Sequence, residues 1–187
     1  MSRSDSTANA LPEQVSNVLF ALYGFQLSVP ENWRVEMNPK GNQKKGDVAF
    51  HSPKGNRFFV SWGVLDDALK RFKSLDEHRD TSINQVRKGP DVAKVDVSDS
   101  REEIISGHRA LYTRITASVR GGFMSRSTAE RVMWSVHFYC PDQSRYYIIY
   151  CLLRDNEEYP DIGSVFRNVV ASFSCHKKSA QSLFAST

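Results

Sequence analysis

The chain has 187 residues, 40% hydrophobic and 25% charged, with a formal net charge of +4. That describes one globular domain with enough apolar material for a real core. It excludes a membrane-spanning helix, since no apolar run approaches the roughly 20 residues a bilayer needs, and the charge is too modest for a dense nucleic-acid-binding footprint.

Residues 1–17 are small and polar and read as a flexible arm. The arm lacks the apolar core of a secretory signal, and three cysteines without metal-like spacing fit a reducing compartment, so a cytoplasmic location is expected. Val18 to Leu22 is a short strand or helical turn. Phe25 to Val29 alternates cleanly and is a strand ended by Pro30. The turn Pro30–Trp33 is expected to return Trp33 to the sheet as a buried plug. Arg34 to Met37 is extended, and 38–47 is a loop bearing glycine and lysine. Val48–Ser52 and Asn56–Leu65 are strands joined by the turn Ser52-Pro53-Lys54-Gly55, with Phe58, Val60, Trp62 and Val64 on one face.

Asp66 to Phe72 begins the helical region. Ser74-Leu75-Asp76-Glu77 is a capping box that opens a helix to about Arg87, stopped by Gly89-Pro90. Its inward stripe is Leu75, the Arg79 stem, Ser82, Ile83 and Val86. Val92–Val97 is a strand, followed by an acidic and polar break, a short strand at Glu103–Ser106 and a turn at Gly107-His108. In Arg109–Val119 the inward face is Leu111, Thr113, Ile115, Ala117 and Val119.

Arg131 to Leu153 reads as two long strands joined at Pro141–Ser144. With Cys140 facing Arg145, one face pairs Phe138/Tyr147, Val136/Ile149, Trp134/Cys151 and Val132/Leu153. The other pairs Tyr139/Tyr146, His137/Ile148, Ser135/Tyr150 and Met133/Leu152. Both faces are largely apolar, so the hairpin belongs inside a sheet covered on both sides. This register puts Cys140 and Cys151 roughly 20 Å apart, too far for a disulfide. Asp161 to Phe173 carries Ile162, Val165, Phe166, Val169, Val170 and Phe173 at helical spacing. Residues 174–187 read as a flexible tail, which leaves a single domain at 18–173. Strands, a helix, more strands and a closing helix describe an α+β layered sandwich on an antiparallel sheet.

Several of these segments resemble one family. Leu22-Tyr-Gly-Phe-Gln-Leu-Ser-Val-Pro-Glu-Asn-Trp33 is similar to the strand, proline and tryptophan opening of the PsbP-like proteins. Ser74–His78 looks like their Ser-Leu-Glu-Glu-Tyr helix start, Ile105–Ala110 like their entry into a long strand, and Val169–Phe173 like their closing helix. The resemblance covers most of residues 22–173. It implies an α/β/α sandwich with a central, mainly antiparallel sheet, in a divergent prokaryotic-type member. That superfamily holds the photosystem II extrinsic subunit and a Ran-binding import factor. It implies a non-catalytic binding module without specifying a partner. The photosystem members are targeted to a thylakoid lumen, and the missing targeting segment counts against a photosynthetic role.

No catalytic constellation is evident. Cys151 sits in an apolar strand as an inert thiol, His137 faces Ile148, and Cys175-His176 lies in the tail without fixed geometry. His51, His78, His108, His137 and His176 are scattered, so no metal and no cofactor is expected. Arg120-Gly121-Gly122 lacks the context of a phosphate cradle. Two basic regions stand out: Lys40, Lys44, Lys45, Lys54 and Arg57 on neighbouring loops, and Arg120, Arg126 and Arg131 around Phe123 and Met124. The expected function is a cytoplasmic adaptor that docks a protein partner, with Phe123 and Met124 as anchors and Arg120 and Arg126 as rim charges. The alternative is binding of a polyanion or nucleic acid through loops 38–57 and 120–131.

Overall fold

A computed structural model of the chain describes residues 16–120, 128–152 and 162–176. Along them run β1 (Asn17–Leu22), β2 (Phe25–Pro30), β3 (Arg34–Met37), β4 (Gly46–His51) and β5 (Arg57–Val64). Then come α1 (Leu65–Arg71), α2 (Leu75–Arg87), β6 (Val92–Ile105), β7 (His108–Arg120), β8 (Thr128–Cys140), β9 (Arg145–Leu152) and α3 (Ile162–Ser172). A seven-stranded sheet has the order β3-β4-β5-β9-β8-β7-β6, and all its neighbouring pairs are antiparallel. β1 and β2 form a separate ribbon. The architecture is α+β, as the sequence pattern requires.

β8 and β9 sit inside the sheet, flanked by β7 and β5. Their ladder runs from Met133↔Leu152 to Cys140↔Arg145, the register that the apolar alternation demands. The pair Val132/Leu153 falls partly outside the described residues. A single 3-10 turn, Pro141–Gln143, reverses the chain, with Ser144 left-handed at φ 51°.

One face of the sheet is aromatic and lies under the β1–β2 ribbon and α3. Phe25, Phe58, Trp62, Phe138, Tyr147, Phe166 and Phe173 are all buried there. Phe25 stacks on Phe173 at 5.5 Å, and Phe138 on Tyr147 at 5.3 Å. The opposite face carries α1 over β5 and β9, and α2 over β6, β7 and β8. Ser74 caps α2 by accepting the Glu77 N–H at 3.1 Å. The helix buries Leu75, His78 and Ile83, so its inward stripe includes a histidine that composition alone places on the surface.

Four expectations need correction. β6 is continuous through the acidic stretch, because an edge strand can leave one side in water. Register shifts at Val92/Lys94 and Val97/Asp99 absorb the irregularity as bulges. Trp33 packs on Phe58 at 6.4 Å but remains half-buried, since its turn lies at the sheet margin. Ser16 and Asn17, expected in the arm, belong to the fold: the Ser16 carbonyl accepts the Glu31 N–H at 2.9 Å, and β1 begins at Asn17. The domain also runs past residue 173: Ser174 and Gln26 exchange two backbone hydrogen bonds of 2.8 Å, and Cys175 is fully buried.

α3 approaches the sheet closely at Gly163, where an added Cβ would sit 2.2 Å from the Trp134 ring. Gly163→Ala is therefore expected to destabilise the fold by about 1–3 kcal/mol through overpacking, despite alanine's better helix propensity. Urea titration of the variant checks this, and a gain in stability would contradict it.

Candidate functional site

α2 ends at Arg87, and part of its sheet face is left uncovered by the described residues. The ladders Val92↔Val119, Ala117↔Arg131, Ile115↔Met133, Met133↔Leu152 and Arg57↔Leu152 put these side chains on that one face. They line an open groove of about 570 Å³, with Val86 at its α2 side and Arg57 and Arg131 supplying its charge. Leu152 is 41% exposed there. An apolar shelf flanked by cations can take up apolar groups that lie beside carboxylates.

The predicted basic residues divide between the two ends of the sheet. Arg57 and Arg131 meet at the groove. Lys54 lies in the β4–β5 turn at this end, and Arg120 closes β7 with its N–H donated to the Asp91 carbonyl at 2.8 Å. Phe123, Met124 and Arg126 lie outside the described residues. Lys40, Lys44 and Lys45 are exposed on the β3–β4 loop, where the Asn38 and Asn42 side chains accept their backbone N–H groups. The expected single patch over 38–57 is thus two. β4 runs between its halves, and six extended residues span about 20 Å.

The opposite end of the sheet corrects another expectation. The histidines are not all scattered: His108 and His176 converge with Cys140 and Cys175, and the donor atoms of all four lie within 4.8 Å of one another. Three elements bring them together. Ser106 and Gly107, with φ of 54° and 85°, turn β6 into β7 and set His108. The β7–β8 register, with Ala110 facing Phe138, places His108 opposite Cys140 two residues further on. The bridge from Ser174 to Gln26 delivers Cys175, whose N–H is donated to the Ser106 hydroxyl at 3.2 Å. Cys175 Sγ is 3.2 Å and Cys140 Sγ 3.9 Å from His176 Nδ1. Asp142 Oδ2 lies 3.8 Å from His108 Nε2 and 3.9 Å from His176 Nδ1. Sequence spacing hid this cluster, because its members come from positions 108, 140 and 175–176; the adjacent Cys175-His176 pair was its one visible trace.

The Cys140 and Cys151 thiols are poor nucleophiles. All three cysteines are free and buried, and burial pushes Cys140 and Cys151 up to about 12. His137 is buried with no hydrogen-bond partner on either ring nitrogen. Burial, then the nearby His78 and Arg79, lowers it to about 3. His78, stacked on Phe72 at 4.2 Å, is lowered to about 4 by burial and then by Arg71. None of the described helices is long and apolar enough to cross a membrane.

No protein-family model and no curated protein matches this sequence. Solved structures do match. Cyanobacterial PsbP (CyanoP) from Synechocystis sp. PCC 6803 is similar with a TM-score of 0.56 at 11% identity, over 91% of this chain and 96% of that one. The Ran-binding protein Mog1p of Saccharomyces cerevisiae gives 0.57 at 11% identity, over 91% of this chain and 100% of its own. The fold is that of PsbP and Mog1p, carried by a divergent sequence.

Proposed function

We propose that this chain is a non-catalytic binding module that docks a protein partner in the groove beyond α2. The carrying observation is the apolar shelf of Val119, Met133 and Leu152, open among the described residues, with Arg57 and Arg131 beside it. The fitting occupant is a segment with a few apolar side chains flanked by carboxylates. Phe123 and Met124, between strands whose ends line the groove, serve as added anchors, and Arg120 and Arg126 as rim charges. The Ran-binding description of the yeast fold neighbour supports a protein partner. Three free cysteines fit the expected cytoplasmic location.

Two variants test the reading by capture from native-cell lysate, with and without nuclease. Val119→Glu puts a carboxylate into the groove at a half-buried site. The Phe123→Ser, Met124→Ser double variant removes the proposed anchors. Each is expected to keep its melting temperature and to bind the captured protein about 30-fold or more weakly, the scale of losing an interface anchor. Equal capture by wild type and both variants would refute the groove. Capture abolished by nuclease would favour the polyanion alternative instead, with its steep salt dependence.

A further inference from the structure

We propose that His108, Cys140, Cys175 and His176 form a closed, four-ligand site for zinc at the sheet end opposite the groove. The proposal does not depend on docking. Zinc bonds of about 2.3 Å to sulfur and 2.0–2.1 Å to nitrogen place tetrahedral ligand atoms roughly 3.3–3.8 Å apart. The observed 3.2 Å and 3.9 Å separations fall just either side of that range, and the 4.8 Å limit on the rest lies within reach of small side-chain rotations. Two sulfurs and two imidazole nitrogens suit zinc and exclude calcium and magnesium, which take oxygen ligands.

The cluster also has features that packing alone leaves unexplained. His108 Nε2 is buried without a hydrogen-bond partner, a costly arrangement that a bound cation would relieve. The Asp142 carboxylate faces both histidine nitrogens and adds negative charge beside the cation position. On binding, each thiol releases its proton to solvent and becomes a thiolate ligand; no electron moves. With all four positions filled by protein there is no open site for substrate, so the role is structural. The ion ties the residues after α3 to the β6–β7 and β8–β9 turns.

The test uses the full chain, reduced and stripped with chelator, then titrated with Co²⁺ and with Zn²⁺. The expected result is the thiolate-to-cobalt charge-transfer band with a tetrahedral visible spectrum, saturating at one equivalent. Zn²⁺ should displace the cobalt and raise the melting temperature. Cys151→Ser should behave like wild type. Cys140→Ser and Cys175→Ser should each bind at least about 100-fold more weakly, since even groups that only orient ligands are worth 10- to 100-fold. Circular dichroism of the metal-free variants checks folding. Should a serine variant not fold, X-ray absorption on the wild-type cobalt form decides, with two sulfur and two nitrogen scatterers expected. No band, any other donor count, or loss of the band in Cys151→Ser would overturn the proposal. So would a Cys140–Cys175 disulfide that, once reduced, takes up no cobalt.

Discussion

Phe25→Ala is expected to destabilise the protein by about 3–5 kcal/mol, the range for an emptied buried aromatic site. Phe25 is 1% exposed. It stacks on Phe173 and packs against Trp62 at 5.5 Å and Tyr147 at 5.9 Å. It therefore joins the ribbon, the end of α3 and the sheet at one point. The neighbours are rigid rings held by β5, β9 and the end of α3, so the cavity has little means to collapse. Urea unfolding at neutral pH measures the loss, and a value below about 1 kcal/mol would mean the ribbon contributes little to the core.

Acid should unfold the protein earlier than its carboxylates alone require. His78 and His137 have folded values near 4 and 3, below the 6.5 of an unfolded histidine. Between those values the unfolded chain binds more protons than the folded one. Stability is therefore full above about pH 6.5 and is lost as pH falls towards 4 and 3. At 1.4 kcal/mol per unit, His137 alone removes about 3 kcal/mol by pH 4. Urea titrations at pH 7 and pH 4 are expected to show that loss in the wild type and a loss about 3 kcal/mol smaller in His137→Leu. Equal losses in both proteins would show that His137 can be protonated inside the fold.

The sheet was legible in the sequence where local chemistry over-determines it. Apolar residues on both faces of 131–153 and a four-residue turn leave one workable register, and Cys140↔Arg145 follows. The capping box at Ser74 and the apolar periodicity of α3 were equally plain. Legibility failed where a residue's role depends on a distant partner. β6 looks broken because an edge strand tolerates charge at 99–103. His78 looks superficial because α2 is polar overall, yet the helix presses it between Phe72 and the sheet. Lys44 and Lys54 look adjacent because ten residues separate them in sequence, although β4 carries them to opposite ends. Only the complete strand order brings Arg57 to Arg131, and only the β7–β8 register brings His108 to Cys140.

Photo-crosslinking from inside the groove addresses the docking claim most directly. A photoreactive phenylalanine analogue at position 119 is compared with one at position 69, where Leu69 is exposed on α1 away from the groove. After irradiation in native cells, position 119 is expected to yield a discrete protein adduct whose crosslinked peptide carries apolar residues beside aspartate or glutamate. Position 69 should give none. Identical adducts from both positions, nucleic acid in place of protein, or a crosslink from 119 only to this chain's own residues would contradict a partner-docking groove.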